Sequence, residues 1–131
     1  VLYDLITKHT DKKVYYVHGG INGDERERIR KEVEKSDNCI ILASRVFVTG
    51  TNIKRIHNII LALPQKSVVK LLQSIGRGLR LAEGKDQCVT HDLCDNLIKK
   101  TKENFTLQHG IARVEIYNNQ KFDYEIVKVN L

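Results

Sequence analysis

The sequence predicts an α/β fold with a mostly parallel central sheet. Three short apolar runs occur along the chain, at residues 39–43, 57–63 and 87–93. The first two runs are continuous rather than alternating, which is typical of strands that are buried on both faces. Residues 67–75 lie before the third run and place apolar side chains at helical spacing after Ser67, a suitable N-cap. Strand, helix and strand in this order indicate an α/β domain with right-handed crossovers.

The N-terminal part of the chain adds two helices and a strand to this pattern. Residues 1–6 have helical spacing, and residues 13–17 form a short run rich in β-formers. Asn22 and Glu25 have the spacing of a capping box, and they begin an almost wholly charged stretch that ends at Lys35. This stretch is predicted to be an exposed helix.

The C-terminal part is predicted to be an extension of the same domain. A charged link precedes a helix around residues 107–117, and residues 122–129 alternate as in an edge strand or an added hairpin. We therefore expect residues 1–98 to form the main domain. Residues 99–131 are expected to form a helix–strand extension packed on it.

Composition excludes several classes of protein. The 131 residues are 41% hydrophobic, which supports a core, and the apolar runs are too short to span a membrane. Three cysteines without framework spacing favour reduced thiols in the cytoplasm. The net charge of +6 favours a polyanionic partner, nucleic acid first. No signal peptide is recognisable. Because the chain begins with Val rather than Met, we expect a piece of a longer protein.

The stretch at residues 73–80 is the most informative one for chemistry. Gln73, Arg77 and Arg80 are spaced four and three apart, so the three side chains can share one helix face. Gly76 and Gly78 beside them permit close approach of another backbone or a ligand. Two guanidinium groups aimed at one place suit phosphate oxygens. From spacing alone, a basic helix end that interacts with its own dipole is the alternative.

This stretch resembles motif VI of superfamily-2 helicases, whose pattern is Gln or His, two residues, Gly-Arg, two residues and Arg. Residues 40–44 together with 47–53 are similar to motif V of that family. His18-Gly19-Gly20 resembles the glycine-bearing segment that often follows motif IV. The three segments occur in family order across residues 13–93, and the likeness to phage recombination helicases of the UvsW type extends over nearly the whole chain.

The resemblance implies a second RecA-like motor domain with three layers, and an ATP site shared with a first motor domain. Arg77 and Arg80 would be arginine fingers, which stabilise charge on the transferred phosphoryl group. Gln73 would lie at the same interface, and Gly50 and Asn52 would lie near the nucleotide ribose. Many relatives carry Asp at the position of Asn52, so that role is the less certain one.

The resemblance also implies a track for nucleic acid. Ser44 matches a motif V hydroxyl that contacts the nucleic-acid backbone, and His18 and Gly19 would line the same track. Ordinary turn and loop capping is the alternative for these residues. The implied function is the C-terminal motor domain of an ATP-dependent DNA helicase in recombination or repair. Its implied partners are single-stranded or branched DNA and the first motor domain, in the cytoplasm of a bacterial or phage-infected cell.

Two motifs of a complete motor are missing from the sequence. Gly84-Lys85-Asp86 lacks the leading glycine and the hydroxyl of a phosphate-binding loop. Asp24-Glu25 begins a charged helix instead of ending an apolar strand, so it does not resemble the Mg²⁺ motif. The strand that carries motif IV is also expected to be missing or cut. ATP and Mg²⁺ would therefore be held mainly by the first domain, and this chain alone should not hydrolyse ATP.

Two further groups of residues are interpreted as structural. Cys88, His91 and Cys94 are three apart, but a strand there would turn alternate side chains to opposite faces, so no metal site is expected. Tyr15 and Tyr16 lie in a predicted strand and favour packing over base stacking.

Two other functions remain open from the sequence. One is a nucleic-acid-binding module without catalytic activity, which an upstream phosphate-binding loop and Asp-Glu motif would exclude. The other is a translocating subunit of a restriction enzyme, which a nuclease domain encoded nearby would favour.

Overall fold

The computed structural model describes residues 1–44, 53–63, 67–80, 82–96 and 104–129. These residues contain four helices: α1 (Leu2–Lys8), α2 (Gly23–Glu34), α3 (Val68–Gly78) and α4 (Phe105–Asn119). They also contain four strands: β1 (Lys13–Val17), β2 (Cys39–Ala43), β3 (Asn58–Leu61) and β4 (Val89–Asp92). Within these ranges, no helix is long and apolar enough to cross a membrane.

The strands pair in parallel, as the sequence predicts. β1 and β2 run side by side in a register from Lys13 opposite Cys39 to Val17 opposite Ala43. β3 pairs with β4, where the Val89 N–H donates to the His57 carbonyl and the Leu93 N–H donates to the Leu61 carbonyl, at 2.9 and 3.3 Å. Both strands advance in the same direction between these two hydrogen bonds, so this pair is parallel as well. The described residues thus form two two-stranded sheets instead of one continuous sheet.

Burial on both faces, expected for β2 and β3, does not hold for β3. Its side chains alternate between exposed and half-buried, and Ile60 is 65% exposed. The physical reason is that the described residues cover only one face of this strand.

One compact unit comprises residues 1–59 and 72–90. Its core consists of apolar side chains from β1, from α2 and from the last residue of motif V: Tyr15, Val17, Ile29, Val33 and Ile53. α2 begins as predicted, because the Asn22 side chain accepts a hydrogen bond of 2.8 Å from the Glu25 N–H. Its apolar stripe, Ile29 and Val33, packs in this core while its other faces remain charged.

A second compact unit comprises residues 60–71 and 91–131. At the end of β4, Asp92 accepts two hydrogen bonds from the Arg113 guanidinium of α4, from Nε at 2.7 Å and from Nη2 at 2.8 Å. The Tyr117 hydroxyl donates a third, also at 2.7 Å. Arg113 is 2% exposed, so this bidentate pair anchors α4 in a buried position. The predicted domain boundary at residue 98 coincides with neither unit's limits and stays a prediction.

The strand expected at residues 122–129 is wrong. The structure assigns no strand there, and four apolar side chains of the segment are 44–74% exposed: Tyr124, Ile126, Val127 and Val129. A strand needs a neighbouring strand for its backbone N–H and carbonyl groups, and the described residues offer none. The predicted helix before it does form, as α4.

Candidate functional site

The carboxyl ends of β1 and β2 bring together three residues that the sequence singles out. His18 and Gly19 follow β1 directly, and Ser44 follows β2 directly. The Ser44 N–H donates a 3.0 Å hydrogen bond to the Val17 carbonyl, which continues the β1–β2 ladder by one step. Since ligands of open parallel sheets bind beyond the carboxyl ends of the strands, this edge is a suitable place for a ligand.

The His18 side chain also organises the turn after β1. Its Nδ1 accepts a 3.1 Å hydrogen bond from the Gly20 N–H, and its carbonyl accepts one of 3.2 Å from the Ile21 N–H. A neutral ring with Nδ1 as acceptor carries its proton on Nε2, which is then a donor. Turn chemistry, the alternative from the sequence, is therefore present at His18, and a contact with nucleic acid stays a prediction.

The two tyrosines of β1 differ in their surroundings. Tyr15 is 8% exposed and its hydroxyl donates a 2.7 Å hydrogen bond to Glu32, so its predicted packing role is confirmed. Tyr16 is 46% exposed, and its ring lies 4.9 Å from the His18 ring and 6.2 Å from the Tyr3 ring, centroid to centroid. Tyr16 thus packs against other rings at the surface.

Arg77 lies in the last turn of α3 and Arg80 lies two residues beyond its end, and these two residues form the arginine pair. Ser67 caps the helix as predicted, since its hydroxyl accepts a 3.3 Å hydrogen bond from the Lys70 N–H. Leu71 and Ile75 are buried, while Gln73 is exposed and both arginines are half-buried. The helix thus buries its apolar stripe and keeps the predicted motif VI side chains away from it.

The arginine pair interacts electrostatically. Burial lowers the pKa of the Arg77 guanidinium from its ordinary value, and the positive charge of Arg80 lowers it further. A guanidinium nonetheless stays protonated in a protein. Both guanidinium groups are thus positively charged and half-buried near the C-terminal end of α3.

The two glycines of motif VI have different surroundings. A Cβ at Gly78 would lie 2.5 Å from Cys88 Sγ and 2.8 Å from Ile59 Cδ1, so this position must lack a side chain. A Cβ at Gly76 would meet no atom within 4 Å. Close approach is therefore required at Gly78, and the partners are side chains of the protein's own core rather than a ligand.

Sequence reasoning missed Lys85, which it treated only as part of an incomplete phosphate-binding loop. Lys85 is 8% exposed, and its ammonium donates to the carbonyls of Gly78 and Arg80 at 2.5 and 3.0 Å. It also donates to the Lys54 carbonyl at 3.1 Å. Residue type alone predicts a solvated lysine, and the turn made by Gly84 was the available signal that the chain folds back here.

Some predicted site residues lie outside the description. Gly50 and Asn52 of motif V belong to residues 45–52, which the structure does not describe. Cys88, His91 and Cys94 are described, and no group of three or more His, Cys, Asp or Glu side chains that could hold a metal ion occurs in the ranges given above.

Comparisons with known proteins agree with the motifs. Residues 2–82 match the model of the helicase conserved C-terminal domain. The chain is 37% identical to the ATP-dependent DNA helicase uvsW of Enterobacteria phage T4, over 99% of this chain and 28% of that protein. The chain therefore spans little more than a quarter of that relative.

Solved structures show the same fold. The crystal structure of T4 UvsW matches 95% of this chain and 27% of its own length, with a TM-score of 0.71 and 34% identity. The C-terminal part of the Fun30 ATPase domain matches 88% of this chain and 43% of its own length, with a TM-score of 0.57. At 13% identity, the Fun30 likeness shows the fold alone. The predicted α/β RecA-like fold and the predicted resemblance are both confirmed, and the chain belongs to the helicase conserved C-terminal domain family.

Proposed function

We propose that this chain is the second motor domain of an ATP-dependent DNA helicase that acts in recombination or repair. The observation that carries the proposal is the arginine pair near the end of α3, with Arg77 and Arg80 three residues apart and both half-buried. The T4 relative, named as an ATP-dependent DNA helicase, supports the choice of reaction.

The arginine pair fits the charge of a nucleoside triphosphate. When bound, ATP supplies a phosphoryl group whose oxygens gain negative charge as it is transferred. Each guanidinium can donate two parallel hydrogen bonds to such oxygens, which a lysine ammonium cannot do. Gln73, exposed one turn before Arg77, would face the same interface. We assign Gly50 and Asn52 to the ribose side of the nucleotide on the strength of the motif V resemblance alone.

We infer that the remaining parts of the ATP site come from a first motor domain. The sequence has no phosphate-binding loop and no Asp-Glu motif at the end of an apolar strand. The triphosphate and Mg²⁺ would therefore be held by that domain, and the 131-residue chain alone would not hydrolyse ATP. The share of the T4 relative that the chain spans supports a longer parent protein.

The first test replaces Arg77 or Arg80 in the full-length helicase. Each Ala variant should lower DNA-stimulated ATP turnover by about 10³-fold or more while leaving the nucleotide affinity and the melting temperature nearly unchanged, because a finger acts mainly in the transition state. Lys variants at the same positions should restore little of the lost ATP turnover. Turnover and nucleotide affinity are measured side by side, with the 131-residue chain as a blank. Ala variants that keep near-parental turnover would contradict the assignment of Arg77 and Arg80 as arginine fingers.

The second part of the proposal places DNA at the carboxyl edge of β1 and β2. His18 Nε2, the Gly19 backbone and the Ser44 hydroxyl are groups that can contact phosphates without reading sequence. Their position beside one another after two parallel strands supports this assignment, as does the net charge of +6.

A binding experiment tests this DNA face. The chain should bind fluorescent single-stranded DNA weakly, with little sequence preference, and the logarithm of affinity should fall linearly with the logarithm of salt concentration. Ser44→Ala should weaken binding, whereas Ser36→Ala, at a half-buried hydroxyl away from this edge, should not. An absence of binding at low salt would contradict a nucleic-acid face on this domain.

We also place the protein in the cytoplasm of a bacterial or phage-infected bacterial cell. The phage origin of the T4 relative supports this location. Fractionation of infected cells with an antibody to the chain would test it.

A further inference from the structure

We propose that Lys85 is a positioning residue for ATP hydrolysis, which fixes the backbone that carries the arginine pair. The inference rests on the proposed function, because it assigns Lys85 a role that is exerted through Arg77 and Arg80. Lys85 itself is buried among backbone groups and is not placed to touch the nucleotide.

The ammonium of Lys85 makes three hydrogen bonds, one for each of its protons. Its acceptors are the carbonyls of Gly78, Arg80 and Lys54, at 2.5, 3.0 and 3.1 Å. Among the described residues, no carboxylate lies within ion-pairing distance of it. The positive charge is therefore balanced by backbone dipoles, an arrangement that binds main-chain segments to each other instead of pairing two side chains.

The Gly78 carbonyl belongs to the last residue of α3, and the Arg80 carbonyl lies two residues beyond the helix. The last carbonyls of a helix have no partner within the helix and carry its negative end, so a cation there is stabilising. Gly78 follows Arg77 directly in the sequence, and the carbonyl of Arg80 itself accepts the second hydrogen bond from Lys85. An ammonium that fixes the carbonyls of residues 78 and 80 fixes the backbone from which both arginine side chains project.

The third carbonyl links this helix end to motif V. Lys54 follows Asn52 by two residues, and it directly follows Ile53, which is 1% exposed in the core. A single ammonium thus joins the segment after motif V to the end of motif VI. Because a misplacement of about 1 Å can lower an enzymatic rate by about 10²-fold, the position of this junction bears on turnover.

A local turn delivers Lys85 to this position. Gly84 has φ of +73°, in the region that favours glycine, and the Lys85 N–H donates a 3.2 Å hydrogen bond to the Ala82 carbonyl. The chain reverses after α3, and the lysine stem runs back under the helix end. The Gly-Lys pair at residues 84–85 is therefore used for an internal contact, and the phosphate-loop likeness that the sequence offered is incidental.

The experiment compares Lys85→Met with Arg80→Ala in the full-length helicase. Met keeps the stem and removes the ammonium, so kcat should fall by about 10²-fold, while KM for ATP and DNA affinity change by less than about threefold. Lys35→Met, at an exposed lysine, is the matched control and should retain parental kcat. All rates are measured well below the melting temperature of each variant.

A double variant separates positioning from simple stabilisation. If Lys85 acts through the arginine pair, Lys85→Met combined with Arg80→Ala should lower kcat by much less than the product of the two single losses. If the double variant loses the full product of the two single losses in kcat, or if Lys85→Met keeps the parental kcat, the inference is overturned. If Lys85→Met does not fold, Lys85→Arg is used in its place, since its planar guanidinium cannot meet three carbonyls in the same geometry. Should the arginine variants keep their turnover, the proposed function itself fails, whatever Lys85 does.

Discussion

The two glycines of motif VI are two residues apart on α3, and their surroundings predict opposite effects of the same substitution. Gly76→Ala should raise the free energy of unfolding by about 0.5–1 kcal/mol, because alanine lowers the backbone entropy of the unfolded chain and meets no atom in the folded one. Gly78→Ala should lower it by about 1–3 kcal/mol, because the new Cβ overlaps Cys88 Sγ and Ile59 Cδ1.

Urea denaturation of the chain and its two variants measures this difference. Each variant makes the same chemical change in the same helix, so each serves as the control for the other. Cys88→Ala combined with Gly78→Ala should recover part of the loss, since it removes the nearest overlapping atom. Equal stability changes at the two positions would contradict the packing described for Gly78.

At the residue scale, motifs predict which side chains would carry the chemistry but not what surrounds them. The spacing of Gln73, Arg77 and Arg80 predicts one shared helix face, but α3 ends at Gly78, so Arg80 lies two residues beyond the helix. No pattern predicts that Lys85 is buried, because a lysine is normally solvated. The carbonyls that Lys85 contacts belong to Arg80, Gly78 and Lys54, which precede it in the sequence by 5, 7 and 31 positions. Every residue has a backbone carbonyl, so the sequence does not indicate which carbonyls accept these hydrogen bonds. Such a contact is seen only in the structure.

At the scale of elements, Glu32 joins α2 to β1. Its carboxylate accepts hydrogen bonds from Lys13 Nζ and from the Tyr15 hydroxyl, each at 2.7 Å, and it also pairs with Arg28. The hydrogen bond from Lys13, followed by that from Tyr15, lowers the pKa of Glu32 from 4.5 to about 2. A carboxyl whose pKa is lower in the folded state than in the unfolded one stabilises the fold only while it is ionised.

The pH dependence of the folding stability follows from this lowered pKa of Glu32. The contribution of Glu32 should be complete above pH 4.5 and should disappear as the pH falls toward about 2. Glu32→Gln should therefore be less stable than the parent at pH 6, and the difference should shrink steadily between pH 4.5 and 2. Unfolding free energies at a series of pH values measure this. Glu83→Gln, at an exposed carboxylate, is the control, and a gap that stays constant with pH would contradict the role of Glu32.

Helices were easier to predict from this sequence than strands. The capping pattern at Asn22 and the apolar spacing after Ser67 are local, and both caps form as expected. A strand depends on a neighbour that local sequence does not specify. Residues 122–129 alternate like a strand, yet they remain exposed and unassigned because the described residues provide no strand beside them.

At the scale of the whole molecule, the proposed function requires a second domain to complete the ATP site. The sequence has a net charge of +6 and the arginine pair, but no phosphate-binding loop. A site divided between two domains is formed only when they close, so its arginines should matter little for binding nucleotide and greatly for hydrolysing it.

The most direct measurement compares ADP with ADP–aluminium fluoride, which mimics the transferring phosphoryl group, in the full-length helicase bound to single-stranded DNA. Arg80→Ala should bind ADP with parental affinity and lose at least about 10²-fold in affinity for the mimic, as expected when an interaction is made mainly in the transition state. Equal losses for the two ligands, or parental affinity for both, would contradict the assignment of Arg80 as an arginine finger.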